Sequence, residues 1–271
     1  MPDDKQRLDA ALVDRGLAPS REKAKALIMA GLADINGLRE LKPGRSVKPE
    51  DRLAVRSENV LPFVSRGGAK LQKAVDCFGL RLAGLVCMDV GASTGGFTDC
   101  MLQQGAAKVY AIDVGYGQLA WKLRSDARVV CLERTNFRYV TRERVPEPVA
   151  FASVDVSFIS LGLIFPALSP LLAGDGQAVC LVKPQFEAGR ERVGKKGVVR
   201  DPAVQAGVIE ATAAAAMQAG FFPRGLTFSP IKGPEGNIEF LLWLGKNGGG
   251  AEGTTLPSAA DVVAEAGRAL A

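Results

Sequence analysis

Three charged side chains stand where strand-like runs of apolar residues begin or end: Asp155 in VDVSF, Lys183 in LVKPQFE and Glu239 in GNIEFLLWL. Open α/β sheets bind ligands at the carboxyl ends of their strands, so these positions favour a shared site. A lysine ammonium placed there can stabilise negative charge that develops on an oxygen atom, and a carboxylate can orient that lysine. Taken singly, Asp155 and Glu239 are also compatible with solvated charges, whereas Lys183 ends an apolar run and precedes a proline.

Other chemistries of a sheet edge are disfavoured by the residue types present. The chain has no histidine, which removes the usual general base and most metal sites. The turn after Asp155 lacks the prolines with which amino-group methyltransferases hold a flat base. Cys180 lies inside the apolar run AVCLVKP and is expected in the core, not as a nucleophile. The five cysteines form no CxxC pair, which indicates buried thiols in a reducing compartment: Cys77, Cys87, Cys100, Cys131 and Cys180.

A glycine-rich turn follows the apolar run LVCMDV, and a second run, VYAIDV, closes on Asp113. Two phosphate-binding patterns do not fit this turn. A P-loop requires a lysine where Phe97 stands, which excludes nucleotide hydrolysis of that kind. A dinucleotide fingerprint requires a glycine where Ser93 stands, so close approach of a pyrophosphate is not provided for.

The turn instead fits the loose D-x-G-x-x-x-G-G pattern of an S-adenosylmethionine site. We expect it to pass under the methionine moiety and to contribute Asp89, Gly91, Ser93, Gly95 and Gly96. Asp113, the acid that ends the next strand, is then expected to accept hydrogen bonds from the ribose hydroxyls of the cofactor. A side chain at Gly91 or Gly95 should obstruct the methionine moiety. The alternative is an ordinary strand-to-helix turn without a ligand.

Strand-like runs alternate with helical segments from about residue 66 onward, which is typical of an α/β protein with a largely parallel sheet. The expected strands lie at 85–90, 107–113, 128–132, 150–155, 177–183 and in a late pair around 225–244. We expect this domain to cover residues 66–246. Residues 247–271 are expected to form a flexible tether, 247–258, and a short final helix.

Residues 1–60 differ in composition and indicate a small domain of their own, followed by a linker over 57–65. The segments RLDAALVDRGL and SREKAKALIMAG predict two short amphipathic helices, the second capped by Ser20 and closed by Gly31. The dipeptide Asn36-Gly37 predicts a tight hairpin turn between small strands.

These motifs, in this order, resemble those of the TlyA family of ribosomal RNA 2′-O-methyltransferases: RGGAKL, DVGASTGGFTD, VDVSFISL, LVKPQFE and GNIEFLL. The resemblance covers about residues 6–245. It implies a Rossmann-like, S-adenosylmethionine-dependent methyltransferase fold, similar to that of FtsJ (RrmJ), within the α/β class. It also implies that the first sixty residues form a small N-terminal α+β S4 RNA-binding domain.

The resemblance implies site residues as well. A Lys-Asp-Lys-Glu tetrad serves catalysis in this family, and its positions here are Lys70, Asp155, Lys183 and Glu239. The turn ERTNFR matches a loop on the cofactor side, which implies a contact from Asn136. We expect Lys183 to act at the 2′-oxygen, Asp155 to orient it, and the other two residues to support them. Whether Lys183 acts as a charged stabiliser or as a neutral base stays open.

The charge distribution favours an RNA partner in places. The net charge is +5, and residues 1–60 hold 12 Lys and Arg against 10 Asp and Glu, a modest excess. Residues 183–200 hold six cations and two acids, and this glycine-rich stretch is either a mobile solvated loop or a grip on RNA backbone. The expected RNA-binding residues are Arg15, Arg21, Lys23, Lys25, Arg66, Arg190, Lys195 and Lys196.

The sequence therefore predicts a cytoplasmic enzyme that uses S-adenosylmethionine to methylate a ribose 2′-hydroxyl, that of cytidine, in ribosomal RNA or ribosomal subunits, without a metal. One alternative is a membrane-active protein, because members of this family have been labelled haemolysins. The polar start MPDDKQRLDA is not a secretory signal, and no apolar run reaches the about 18 residues of a membrane span. A second alternative, an RNA-binding module with an inactive methyltransferase fold, is disfavoured because all four tetrad positions are filled.

Overall fold

The computed structural model describes residues 6–29, 31–55, 62–194, 196–247 and 256–271. The chain divides into two compact units, residues 1–61 and residues 62–271. Some predictions fall outside the described residues: Lys195, the linker over 57–65 up to residue 61, and the tether over 247–258 between residues 248 and 255.

The first unit combines two helices with short strands. Its elements are β1 (Gln6–Arg7), α1 (Leu8–Asp14), α2 (Arg21–Met29), β2 (Ala33–Ile35), β3 (Leu38–Glu40), β4 (Ser46–Val47) and β5 (Leu53–Val55). β2 pairs antiparallel with both β3 and β5, and β1 pairs antiparallel with β4. The two helices share one core in which Leu8, Leu12 and Ile28 are fully buried. The two predicted helices and the small strands are confirmed.

Single residues set the turns of the first unit. The Ser20 hydroxyl accepts a hydrogen bond from the backbone N–H of Lys23 at 3.3 Å and thereby caps α2. Gly31 follows α2 with a φ of 71°, in the left-handed region that glycine adopts readily. Asn36 and Gly37 both have positive φ between β2 and β3, as a two-residue hairpin turn requires.

The second unit is an α/β domain. Its elements are α3 (Gly67–Phe78), β6 (Val86–Val90), α4 (Gly96–Gln103), β7 (Lys108–Ile112), α5 (Trp121–Arg124), β8 (Val129–Leu132), β9 (Val149–Val154), α6 (Phe165–Leu168), β10 (Leu172–Val182), α7 (Pro184–Glu187), α8 (Pro202–Gln218), β11 (Phe222–Phe228), β12 (Phe240–Gly245) and α9 (Ala259–Ala269). The predicted alternation of strands and helices is confirmed.

One seven-stranded sheet runs through this unit in the order β11-β12-β10-β9-β6-β7-β8. The strands from β10 to β8 pair in parallel, whereas β12 is antiparallel to both of its neighbours. The amino end of β12 therefore meets the carboxyl ends of the parallel strands. The order also places the ends of β6, β9, β10 and β12 side by side, which brings distant parts of the sequence to one edge.

Both faces of the large sheet are covered. Successive residues of β6, Cys87 and Met88, belong to different cores because side chains of a strand alternate between faces. One core contains residues of α3, α4 and α5, and the other contains residues of α6, α8 and α9. Burial on both faces explains why the parallel strands are nearly continuous apolar runs in the sequence.

Candidate active site

Asp89 is fully buried beneath the glycine-rich turn that joins β6 to α4. Its Oδ2 atom accepts hydrogen bonds from the backbone N–H and the hydroxyl of Thr98, at 2.8 and 2.6 Å. Its Oδ1 atom accepts a hydrogen bond from the Ser153 hydroxyl at 3.1 Å. The carboxylate thus ties the first turn of α4 to β9 and holds the glycine turn in place.

The stability of the second unit should depend on pH through Asp89. Burial raises the pKa of this carboxyl to about 7, although hydrogen bonds from Thr98 and Ser153 act in the opposite direction. An unfolded aspartate has a pKa of about 4, so between about pH 4 and pH 7 the folded state binds a proton that the unfolded state lacks. The free energy of unfolding should therefore fall as the pH rises through this window, by at most about 1.4 kcal/mol per pH unit, and then level off.

The variant Asp89→Asn cannot ionise and should lose this part of the pH dependence. Urea unfolding followed by tryptophan fluorescence measures it, since Trp121 and Trp243 both lie in the second unit. Other carboxyl groups contribute equally to both proteins, so the quantity to plot is the difference between their free energies of unfolding. A difference that stays constant from about pH 5 to pH 8 would contradict the prediction.

Asp113 stands directly after β7 and faces the glycine-rich turn. Its Oδ2 atom accepts a hydrogen bond from the backbone N–H of Ser93 at 2.8 Å, and its Oδ1 atom accepts one from Gly115 at 2.6 Å. Ser93 has a φ of 48°, a left-handed conformation that directs its N–H toward this carboxylate. The acid at the end of the second strand is therefore connected to the turn after the first.

A cavity of about 460 Å³, the Asp113 cavity, lies beside this carboxylate. Its lining combines the acid and polar groups with apolar walls: Asp113, Ser93, Asn136, Val114, Phe137 and Ile159. The Asn136 side chain accepts a hydrogen bond from the backbone N–H of Arg138 at 3.2 Å and caps the 3₁₀ helix Phe137–Tyr139. A nucleoside fits such a lining, with its hydroxyls at the carboxylate and its base between apolar side chains.

The three glycines predicted at the cofactor have different environments. A Cβ atom at Gly91 would lie 2.3 Å from the backbone oxygen of Asp155, and one at Gly96 would lie 2.3 Å from the Ser65 hydroxyl. A Cβ at Gly95 would instead meet Leu123 in the core at 2.2 Å. The expectation that a side chain at Gly95 obstructs the methionine moiety is therefore wrong, because its positive φ of 94° turns that position away from the cavities.

The four tetrad residues form two lysine–carboxylate pairs. Lys183, directly after β10, lies with its Nζ atom 2.6 Å from Oδ1 of Asp155, directly after β9. Lys70, on α3, lies with its Nζ atom 2.6 Å from Oε2 of Glu239, directly before β12. Both lysine side chains are 10% exposed, and Glu239 is buried. The antiparallel direction of β12 is what brings its first end to the same edge as Lys183.

A second cavity of about 350 Å³, the Lys70 cavity, lies between the glycine turn and these pairs. Lys70 and Asp155 line it. Their ion-pair partners are Glu239 for Lys70 and Lys183 for Asp155. Gly91, Ser93 and Asp155 line both this cavity and the Asp113 cavity. The two cavities therefore adjoin along the glycine turn, where Asp155 lines both of them.

Two contacts beside the Lys183 ion pair were not predicted from the sequence. The Ser157 hydroxyl accepts a hydrogen bond from Lys183 Nζ at 3.0 Å. Glu187 accepts hydrogen bonds from the Ser160 hydroxyl at 2.7 Å and from the backbone N–H of Leu161 at 2.8 Å. These contacts fasten the loops after β9 and β10 to each other. The sequence could have indicated these contacts, because Ser157 and Ser160 lie in the motif VDVSFISL and Glu187 lies in the motif LVKPQFE.

The cations predicted to bind RNA in the first unit differ in their contacts. Arg15 donates to three backbone carbonyls of the turn before β5, and Arg21 forms an ion pair with the buried carboxylate of Asp9 at 3.2 Å. Hydrogen bonds from the flanking guanidinium groups lower the pKa of Asp9 to about 2. Lys23 and Lys25 are exposed on α2. Arg15 and Arg21 thus have structural contacts in addition to any contact with RNA.

In the second unit, Arg66 is exposed and lines the Lys70 cavity, and Lys196 is exposed in the loop before α8. The backbone of Arg190 belongs to a short 3₁₀ helix, Arg190–Arg192, but its side chain and Lys195 lie outside the described part of the chain. Of the four cations predicted in this unit to bind RNA, the structure therefore describes the side chains of two, Arg66 and Lys196.

Several alternatives can be tested against the described residues. Cys180 is fully buried in β10 and burial raises the pKa of its thiol, so its predicted core position is confirmed. No group of three or more His, Cys, Asp or Glu in the described ranges could hold a metal ion. Within those same ranges, the structure contains no helix of the length and apolar character needed to cross a membrane.

The strand order, the glycine turn after β6 and the acid after β7 define the second unit as a Rossmann-like methyltransferase domain. Residues 63–246 match the family model of the FtsJ-like methyltransferases, and residues 6–53 match that of the S4 domain. The chain belongs to the TlyA family of methyltransferases, in which an S4 domain precedes an FtsJ-like domain, as the sequence motifs predicted.

Relatives support this assignment along most of the chain. A Bacillus subtilis protein described as an rRNA methyltransferase, YqxC, is 54% identical over 95% of this chain and 92% of its own length. The 16S/23S rRNA (cytidine-2′-O)-methyltransferase TlyA of Mycobacterium tuberculosis is 49% identical over 88% of this chain and 89% of its own. A solved structure from Streptococcus thermophilus, described as a hemolysin, is 48% identical, covers 98% of this chain and 97% of its own, and has a TM-score of 0.76.

Proposed function

We propose that this protein transfers a methyl group from S-adenosylmethionine to the 2′-hydroxyl of a cytidine ribose in ribosomal RNA. The observation that carries the proposal is that the two cavities adjoin: Asp113 lines one, Lys70 lines the other, and Asp155, the ion-pair partner of Lys183, lines both. The activity printed for the Mycobacterium tuberculosis relative supports the choice of cytidine and of ribosomal RNA.

The Asp113 cavity and the glycine turn fit S-adenosylmethionine. Asp113 offers carboxylate oxygens at the end of β7, where the ribose hydroxyls of a nucleoside can donate to them. Val114, Phe137 and Ile159 offer apolar walls for the adenine base. The turn through Gly91 leads from there into the Lys70 cavity, where the methionine moiety would lie. When bound, the cofactor supplies an electrophilic methyl group on a sulfonium sulfur.

The remaining chemistry is carried out by residues of this chain at the ribose. A 2′-hydroxyl is a very weak acid. Methyl transfer would form a C–O bond, break the methyl–sulfur bond and release the hydroxyl proton to water, so the oxygen needs help as negative charge develops. The Lys183 ammonium can stabilise that charge because it is held by Asp155, which lines both cavities, and by Ser157, which lines the Asp113 cavity. Those two contacts use two of its three N–H donors, which leaves one for a substrate oxygen.

The geometry favours the charged role of Lys183. A carboxylate oxygen of Asp155 lies 2.6 Å from Nζ, and such a charge-assisted contact stabilises an ammonium more than a neutral amine. Asp155 then orients the ammonium. Lys70 and Glu239 form a buried pair on the other side of the cavity and fix its shape, so the ribose is held in line for transfer.

The first unit is proposed to hold the RNA. S4 is the family model that it matches, and the exposed Lys23 and Lys25 on α2 can contact phosphates. An RNA substrate in ribosomes places the reaction in the cytoplasm. In this proposal residues 1–60 bind the RNA and residues 66–246 carry out catalysis, with the boundaries predicted from the sequence.

Mapping of 2′-O-methyl groups in ribosomal RNA by mass spectrometry tests the proposal. Ribosomal subunits from cells with and without this protein are compared, and the purified protein with S-adenosylmethionine is then added to the unmodified subunits. We expect one or more cytidines to lack the methyl group in the deletion strain and to regain it in the test tube. Identical methylation maps, or no methyl transfer to the subunits, would refute the proposed function.

A further inference from the structure

Five exposed cations continue from the Lys70 cavity along the edge of the second unit: Arg66, Lys232, Arg200, Lys196 and Arg192. We call them the cation row. Arg66 and Lys196 were predicted to bind RNA from the sequence, whereas the other three were not. Lys232 and Arg200 come from separate loops, after β11 and before α8, and only the fold makes them neighbours.

Shared lining residues show that the row follows one depression. Lys232 lines the Lys70 cavity and also a cavity of about 340 Å³ that contains Arg200. Arg200 in turn lines a further cavity of about 470 Å³, together with Arg192 and Lys196. Each cavity therefore shares a cation with the next: Arg200 is shared by the cavities of about 470 and 340 Å³, and Lys232 by the latter and the Lys70 cavity.

The cations of the row lack an ion-pair partner in the part of the chain that the structure describes. Among the described residues, no ion pair involves any of its five members, although Glu235 lines the middle cavity. Some cations elsewhere in the unit are paired, as half-buried Lys108 is with Glu147 and exposed Arg128 is with Asp126. Adjacent unpaired cations repel one another, and a polyanion removes that repulsion.

A buried asparagine fixes the row relative to the tetrad. Asn237 is 1% exposed, and its Oδ1 atom accepts a hydrogen bond from the backbone N–H of Val199 at 2.9 Å. Its Nδ2 atom donates to the carbonyl of Gly197 at 2.8 Å. Gln205 also donates to the carbonyl of Val199 at 2.8 Å. Because Asn237 is two residues before Glu239, the loop that carries three of the five cations is anchored next to the Lys70–Glu239 pair.

We propose that the cation row binds the phosphate backbone of the RNA strand that carries the target ribose and leads that strand into the Lys70 cavity. This inference rests on the proposed function. Phosphates recur along an RNA strand, so a row of separate guanidinium and ammonium groups suits them, and such contacts position the strand without reading its sequence. The row thereby supplies a grip within the catalytic unit itself, apart from that of the S4 domain.

The double variant Lys232→Ala/Arg200→Ala tests the row. Its binding to 23S ribosomal RNA transcribed in vitro is measured as a function of salt, alongside the wild type. The affinity falls as salt rises, and each lost phosphate contact makes the slope of log affinity against log salt shallower by about 0.7–0.9. For two lost contacts, the slope should be shallower by about 1.5. In methylation assays on ribosomal subunits, KM for the subunits should rise.

The double variant Lys108→Ala/Arg128→Ala is the matched control, because it removes two cations that are paired at the opposite edge of the sheet. It should bind with the wild-type slope. Two results would overturn the proposed role of the row. One is a slope for the Lys232/Arg200 variant equal to that of the wild type. The other is that the wild type does not bind the RNA. The binding slope requires no methyl transfer, so failure of the row is distinguishable from failure of the proposed function.

Discussion

Replacement of Lys183 by methionine should lower kcat for RNA methylation by about 10²–10³-fold, the usual effect of removing one group that stabilises developing charge on oxygen. Methionine retains the length and apolar stem of lysine but has no ammonium. The affinity for S-adenosylmethionine, measured by calorimetry, should stay close to that of the wild type, because Lys183 is not among the residues that line the Asp113 cavity. Methyl transfer to ribosomal subunits gives the rate.

Lys246→Met is the matched control for this substitution. Lys246 follows β12 at the opposite edge of the sheet, where its Nζ atom donates to the backbone carbonyl of Leu172 at 2.9 Å. That variant should methylate at nearly the wild-type rate. Near-normal methylation by Lys183→Met would remove the lysine from the mechanism, and loss of cofactor binding in that variant would show that its effect is structural.

Of the proposed substitutions, Glu239→Ala should lower the free energy of unfolding of the second unit the most. Its carboxylate is 1% exposed and is the partner of Lys70 at 2.6 Å, so Glu239→Ala leaves a lysine charge in the interior without its counter-charge. Breaking a buried pair in this way costs about 3–5 kcal/mol. The free energy of unfolding of the second unit, from urea titrations followed by tryptophan fluorescence, should fall by that amount.

The double variant Lys70→Met/Glu239→Leu separates the charge from the packing. Replacement of a whole buried pair by apolar side chains of similar size is often neutral or stabilising, so this protein should be more stable than Glu239→Ala. Its methylation activity should nevertheless be lost, because the cavity then has no charged pair on that side. Equal stability of the single and double variants would contradict a role for the unpaired charge.

The strands of the large sheet could be predicted because both of its faces are covered, which makes β6, β7, β8 and β9 apolar except for Asp89, Lys108 and Ser153. The start of β10 could not be predicted. The strand was expected from residue 177 but begins at Leu172, where the segment LAGDG has no apolar pattern. Leu172 pairs with Val149 ahead of an irregularity in the ladder, and such pairing is fixed by the neighbouring strand.

The positions of the tetrad were predictable from its motifs, but its pairing was not. Lys70 pairs with Glu239 because β12 runs antiparallel, a property that no local pattern in GNIEFLL indicates. The role of Gly95 was mispredicted for a related reason. The direction of a missing side chain depends on the backbone angle at that residue, and Leu123 occupies the space only in the folded core.

The pairing of Lys70 with Glu239 also sets the order in which the protein becomes active. The two residues are 169 positions apart in the sequence, and the acid lies directly before the last strand of the sheet. During synthesis, the glycine turn, Asp113 and the Lys183 pair are all made before Glu239 exists. A chain interrupted ahead of β12 would possess the cofactor side of the site together with an interior lysine lacking its counter-charge. Such a fragment would be both unstable and inactive, so only a nearly complete polypeptide acquires the power to modify ribosomes.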